Sequence, residues 1–550
     1  MEFTDDEVII PISEWPITET LSNMPIELAK VAGNSSSTVD SQKIWTGQLQ
    51  FTQQLQLVTS KQTHKDRQQD TMPQLLTYDF KEPLCKKSKS EHTQFTLNSS
   101  RIEADDYTEY SNERDEARLI KSKWECEPLA DTRVARWWRS HPHRHTETLP
   151  LTSNPHTLLF HISRTADCKS FLQSEKRKLQ NKSGQPLLRN RADVHAAIAS
   201  IDDWLGNYGL ALDGFSKSVE LDPASSKYKW FQAKLKQQCK MIGIQKRRMK
   251  LINTVPRVFP TTLEVDRISA QDLGIDEFIE CYLHQRKPVI LLDAVKDMTK
   301  SSWNLDFVKS VAGPVKASVK RAIPQSVEWA KLEQCRETTV GEFIDQVQEG
   351  QTSNYLFDWS LPIHCPQLAE DLSLPKYFSG NILQKTLPGS LYCDSWPSLF
   401  IAPKGAVSSL HIDAFSSHFW MALFQGEKRW TFFEAEDTAL LYPQYFHSMD
   451  PVFSVDLSSP DVEQWPLLAL TKPRQCVLQP GELLFVPAGS PHYVENLSNS
   501  VAVSANYVDQ SNLEQVIEEL RINALMDPRA FDLLQQLELL QCKQRLEGKS

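Results

Sequence analysis

The sequence lacks any paired-cysteine motif. Its ten cysteines are scattered without a C-x-x-C, so neither a zinc ribbon nor a disulfide framework is readable from spacing. Dispersed, unpaired cysteines suit a reducing compartment. Long hydrophobic runs are missing too. No stretch approaches the ~18 apolar residues that span a bilayer, and no membrane partner is expected. The opening Met1-Glu2-Phe3-Thr4-Asp5-Asp6-Glu7 is acidic and lacks the basic-then-apolar layout of a secretion signal. Cytoplasm, nucleus or both is the expected location. Positive charge is in deficit, with 60 Lys+Arg against 70 Asp+Glu and a net charge of -10. That balance argues against a whole-protein nucleic-acid binder and leaves only a local basic patch open. At 550 residues the chain exceeds one ordinary core, so two or more units are expected.

What is present concentrates near the C-terminal end. The triplet H-x-[DE] occurs three times, at His64/Asp66, His145/Glu147 and His411/Asp413. The first two lie in polar, loop-like sequence, where a solvated histidine is the plain reading. The third has strands around it. Ser398–Pro403 is a short apolar run before it, and Phe419–Phe424 follows. A Gln425-Gly426-Glu427 turn then leads into Lys428–Phe433, a hairpin pattern. Residues i and i+2 of a strand share a face, so His411 and Asp413 can offer an imidazole and a carboxylate to one metal. His492 follows the strand-like run Glu482–Pro487 and would arrive from a second strand. Val501–Tyr507 alternates like a barrel strand. Two histidines and one carboxylate, with the opposite face open, form the facial triad of non-haem Fe(II) oxygenases. Lys428 falls inside an otherwise apolar strand. A buried lysine is costly unless paired, which points to an anionic partner; the plain alternative is an outward lysine beside Arg429.

These residues resemble the JmjC domains of the double-stranded β-helix, cupin-like superfamily of Fe(II)- and 2-oxoglutarate-dependent oxygenases. The likeness is to the small JmjC protein hydroxylases of lysyl and asparaginyl type, the lysyl kind in particular. It rests on His411-Ile412-Asp413 and on Gln425-Gly426-Glu427-Lys428-Arg429-Trp430. Lys287–Leu292, Tyr355–Asp358 and Pro375–Phe378 resemble the family's upstream elements. The resemblance covers roughly residues 255–510. It implies an α+β fold, a jelly-roll barrel with flanking helices. It implies Fe(II), 2-oxoglutarate as cosubstrate and O2. By resemblance, His411, Asp413 and His492 hold iron, and Lys428, Tyr355, Ser408, Ser504 and Asn506 bind 2-oxoglutarate. One position departs: Met421 stands where close relatives carry Asn, and methionine cannot hydrogen-bond the cosubstrate as an amide does.

The remainder reads more simply. Residues 1–150 are rich in Ser, Thr, Gln and charge and are expected to be largely disordered or loosely structured. Within them Arg133–His145 mixes basic residues, aromatics and histidines, with a solvated or partner-docking peptide favoured over a nucleic-acid or metal site. Residues 190–245 read as helices that resemble part of a tetratricopeptide repeat, from Gly206-Asn207-Tyr208 to Pro223. One repeat cannot make a stable solenoid; either degenerate repeats lie upstream or the helices pack on the catalytic domain. Residues 511–550 carry apolar residues at helical intervals that must be buried, as a barrel cap or in a homodimer. The leading expectation is a dioxygenase that hydroxylates a protein side chain, forming succinate and CO2. JmjC N-methyl demethylation ranks lower, because no histone-reading domain or zinc cluster accompanies the barrel. A non-catalytic adaptor that binds protein partners through the helices is the reading from another class.

Overall fold

A computed structural model describes residues 129–141, 149–150, 152, 154–183 and 189–547. His64/Asp66, His145/Glu147 and most of the N-terminal region fall outside the described residues.

A helical layer comes first: α1 (Leu129–Ser140), α2 (Pro155–Arg164), α3 (Ala166–Ser183), α4 (Ala192–Leu205), α5 (Tyr208–Leu221) and α6 (Ser226–Arg248). Local chemistry sets its ends. Asn154 caps α2 by accepting from Thr157 N, with Pro155 in the first turn. Gly206 closes α4 in the left-handed region at φ 83. The α4–α5 contact needs small residues, since a Cβ on Gly214 would stand 2.8 Å from the Ala199 Cβ. Ala196, Ala199, Ala211, Phe215 and Leu235 form the core there. Helix α1 corrects the expectation of a loose region up to residue 150. Its polar composition hides a short apolar face, and Val134 and Trp137 bury against Ile162, Leu172 and Ile201.

The barrel follows. Its strands are β1 (Leu263–Glu264), β2 (Asp266–Ser269), β3 (Val289–Leu292), β4 (Lys316–Ala322), β5 (Leu332–Thr339), β6 (Leu356–Ser360), β7 (Ser398–Ala402) and β8 (Val407–His411). Then come β9 (His418–Gln425), β10 (Lys428–Phe432), β11 (Pro443–Gln444), β12 (Val452–Phe453), β13 (Arg474–Leu478), β14 (Leu483–Val486), β15 (His492–Asn496) and β16 (Ser500–Tyr507). A seven-stranded sheet runs β2-β3-β14-β9-β16-β7-β6, and a five-stranded sheet runs β1-β13-β10-β15-β8. Ile290, Phe400, Phe419 and Met421 from the large sheet meet Trp430, Phe432 and Val494 from the small one. The two sheets therefore bury facing sides in one sandwich interior. Gly426 turns β9 into β10 at φ 87, and a Cβ there would collide with Asn499 O. The outer face of the large sheet is covered by helices, including Val340–Gln348, which carries a Thr339/Glu342 capping box.

Strands β4 and β5 form a separate hairpin whose long loop reaches the barrel mouth. The C-terminal helices α7 (Leu513–Asn523) and α8 (Pro528–Glu547) close the chain. Val516, Leu520, Leu533 and Leu537 pack with Phe415, Ile382 and Val508 against the barrel, while Phe531 and Leu539 stay exposed. Among the described residues no helix is long and apolar enough to cross a membrane.

Candidate metal centre

His411 and His492 are register partners across β8 and β15, which brings their rings together at a centroid distance of 4.2 Å. Strand β8 ends at His411. Asp413 lies just past it, in extended backbone at φ -64 and ψ 145, so the i, i+2 relation survives beyond the last paired residue. One ligand atom from each of His411, Asp413 and His492 lies within 4.8 Å of the others, the single such three-residue group among the described residues.

Hydrogen bonding sets the tautomers. Nδ1 of His411 faces Ser409 O at 2.6 Å, and Nδ1 of His492 faces Ser490 O at 3.0 Å. A carbonyl only accepts, so Nδ1 carries the proton in both rings and Nε2 keeps its lone pair. Burial, with the neighbouring His492, holds His411 well below its ordinary pKa. Burial brings His492 down to about 4. Both imidazoles are neutral, as ligation requires. Burial, then Asp358 and Asp450, raises Asp413 to about 7. Two neutral nitrogen donors and one carboxylate fit a divalent metal of the Fe(II) type, and the dication's charge would reverse that upward push.

The three residues line a cavity of about 200 Å3. Of the five side chains singled out beside the triad, Tyr355, Ser408 and Asn506 line it too. Asn506 donates to Ser417 Oγ at 2.8 Å and bonds the Asp413 carboxylate. Lys428 does not line the open space; it stands behind Tyr355. It is 0% exposed and donates to Tyr355 Oη at 3.0 Å and Asn496 Oδ1 at 2.6 Å. Both partners are neutral, and burial alone lowers its pKa from 10.5 to about 7. An ammonium so desolvated calls for an anion. A carboxylate entering between Ser408, Tyr355 and Lys428 would meet two hydroxyls and that cation. Ser504 also stays off the cavity wall. Its buried Oγ has no hydrogen-bond partner and sits opposite Met421 in the β9–β16 register. Trp430, on the cavity wall, has an unpartnered buried Nε1. The orphaned Trp430 donor fits a polar ligand in the cavity.

The structure adds residues that sequence reasoning missed. Asn496, fully buried, accepts from Lys428 and from Ser500 Oγ and donates to Ala406 O. Its signal was available: it is the register partner of Lys428 across β10 and β15. Lys320, Trp329, Tyr392, Trp396 and Asp450 line the cavity from distant loops and from the β4–β5 hairpin, where no local pattern marks them, and Asp358 joins them from β6.

Fold and site together define a cupin-like barrel with a two-histidine, one-carboxylate centre. Residues 275–512 match the protein family described as "Cupin-like domain", and the barrel is similar to the JmjC barrels, whose enzymes depend on Fe(II), 2-oxoglutarate and O2. The chain is similar to "Arginine-specific demethylase JMJ20" of Arabidopsis thaliana, 25% identical over 279 residues that cover 46% of this chain and 59% of the relative. "Lysine-specific demethylase 8" of Danio rerio is 29% identical over 258 residues, 45% of this chain and 59% of the relative. "2-oxoglutarate and iron-dependent oxygenase JMJD4" of Mus musculus is 31% identical over 179 residues, 31% and 40% of the two chains. The chain spans about half the length of the curated relatives it matches.

Proposed function

We propose that this protein is an Fe(II)- and 2-oxoglutarate-dependent dioxygenase that hydroxylates a cationic protein side chain. One observation carries the reading: the triad lines the same cavity as Tyr355, to which the buried, anion-seeking Lys428 donates. His411, Asp413 and His492 would hold the metal on one face and leave the other open. Lys428, Tyr355 and Ser408 would hold the far carboxylate of 2-oxoglutarate, and Asn506 would keep the Asp413 carboxylate aimed. The bound metal and cosubstrate together supply the O2 activation that turns a substrate C–H into C–OH, with release of succinate and CO2.

The cavity mouth favours a positively charged substrate. Asp358 and Asp450 line it beside Trp329, Phe357, Tyr392 and Trp396. Tyr392 stacks on Trp396 with centroids 5.3 Å apart, which gives a flat wall for a cation–π contact. Lys320 stands close enough to Asp358 to offset it. Asp450, which burial lifts to about 6, is left to face a substrate cation. Relatives named for arginine and lysine substrates are consistent with this. N-methyl demethylation at the same centre is the alternative.

The test is mass spectrometry on iron-loaded protein with 2-oxoglutarate and matched peptide libraries carrying Arg, Lys, methyl-Lys or Gln at the centre. A gain of one oxygen on Arg or Lys supports the reading. Loss of a methyl group favours the demethylase. Turnover of the Gln library alone would remove the cationic assignment. Asp450→Asn should raise KM for the cationic peptide far more than it alters succinate formation without peptide.

A further inference from the structure

The loop between β4 and β5 joins the helical layer to the metal site. Trp329, at its tip, packs edge-on against His411 with ring centroids 4.5 Å apart. Its indole Nε1–H donates to Ile412 O at 2.8 Å. That carbonyl lies between the two residues His411 and Asp413, so Trp329 touches the ligand-bearing segment by ring and by hydrogen bond at once. Immediately after Trp329 the backbone is left-handed at two residues that are not glycine, Ala330 at φ 52 and Lys331 at φ 53. Such conformations cost free energy and persist only where surrounding contacts over-determine them.

Those contacts come from the helical layer. Glu333, buried at the start of β5, is the hub. Its carboxylate accepts from Thr157 Oγ1 at 2.7 Å, Ser326 Oγ at 2.7 Å and Thr152 Oγ1. Thr157 sits on α2 and also accepts from Val327 N at 3.3 Å. Beside it, Asn154 Nδ2 donates to Glu328 at 2.9 Å, next to Trp329. Helix α2 therefore grips both ends of the Trp329 turn through buried polar groups. A second grip lies on the far wall: on α6, Gln238 accepts from Tyr445 N at 3.1 Å, and Lys234 donates to Phe446 O at 3.3 Å, a few residues before Asp450.

We infer that Trp329 is a positioning residue for His411, and that the helical layer holds it in place through Thr157 and Glu333. The inference rests on the proposed metal centre. It makes the helices part of the site rather than an appended module. A contact made on α2, outside the cavity lining, sets how well the ligand segment is aimed. Outer groups that orient a metal-binding histidine govern affinity for the metal, so Thr157 should act on metal binding through Trp329 alone.

The experiment titrates Co(II) into the metal-free full chain and follows the visible absorption of the bound ion. Trp329→Phe keeps the ring and removes the donor; it should weaken Co(II) binding about tenfold. Thr157→Val removes a hydroxyl at nearly constant volume and should weaken it about threefold, while Thr157→Ser restores it. The double variant should be no weaker than Trp329→Phe, because both act on one path. Wild-type-like binding by Thr157→Val, or a double effect equal to the product of the singles, overturns the inference. If Thr157→Val does not fold, Asn154→Ala takes its place under the same criteria. Failure of the wild type to bind Co(II) would sink the metal centre and this inference with it, an outcome distinct from binding that the variants leave unchanged.

Discussion

Replacing Lys428 by Met should make the metal-free protein more stable and nearly blind to 2-oxoglutarate. The two effects follow from one feature, a buried ammonium with neutral partners. A fall in pKa from 10.5 to about 7 means the folded state disfavours the charged lysine by about 4 kcal/mol at pH 7. The lost hydrogen bonds offset part of this, about 1 kcal/mol each. They cost no more because Tyr355 Oη keeps Ser408 and Asn496 as partners, and Asn496 Oδ1 keeps Ser500 Oγ. The net expectation for Lys428→Met is a gain of about 2 kcal/mol at pH 7. The sign with pH is definite. A lowered lysine pKa penalises the fold fully below about 7, and the penalty fades as pH rises above that value. The advantage of Lys428→Met should therefore shrink in alkaline buffer. Binding moves the other way. Losing a buried cation from a carboxylate costs about 3 kcal/mol, on the order of 100-fold in Kd. Thermal unfolding of the metal-free protein and calorimetric titration of 2-oxoglutarate into the Zn(II)-loaded protein read the two quantities. A less stable variant with wild-type affinity would refute the argument and leave Lys428 a structural residue.

Two further expectations concern the same barrel. Met421→Asn should bind 2-oxoglutarate as well as the wild type or tighter, by roughly 0.5–1.5 kcal/mol, since its amide would meet the unpartnered Ser504 Oγ across the β9–β16 register; weaker binding with a lower melting temperature would show that this wall has become purely apolar. Glu519 on α7 is raised to about 8 by burial, and then by Asp450, while accepting from Ser416 Oγ at 2.8 Å. A raised carboxyl pKa stabilises the fold fully below the ordinary carboxyl range and loses that contribution as pH climbs through about 8. The wild-type melting temperature should therefore fall between pH 6 and pH 8 more steeply than that of Glu519→Gln, and parallel curves would contradict this.

The barrel was legible because its strands carry their own signals. The apolar run before His411 is β7, the Gln425-Gly426-Glu427 turn joins β9 to β10, and the run before His492 is β14. The candidate triad was readable because His411 and Asp413 sit two residues apart in extended chain, and His492 opens the neighbouring strand. The second wall of the cavity was not readable. Trp329 and Lys320 come from a hairpin roughly a hundred residues upstream, and their role depends on where that hairpin folds. Asp450 sits in a polar stretch that looks like any surface loop. Helix α1 was obscured by its Arg and Trp content, because a face of two buried residues, Val134 and Trp137, is too short a period to stand out.

The most direct measurement is succinate formation by iron-loaded protein under O2, with iron content determined on the same samples for the wild type, His411→Ala and Asp413→Ala. The wild type should hold one iron per chain and release succinate only with 2-oxoglutarate. Both should be lost in the two variants, whose metal-free melting stays close to wild type because these side chains face an open cavity rather than fill a core. Unchanged iron content in both variants, or stoichiometric iron in the wild type with no consumption of 2-oxoglutarate, would contradict this.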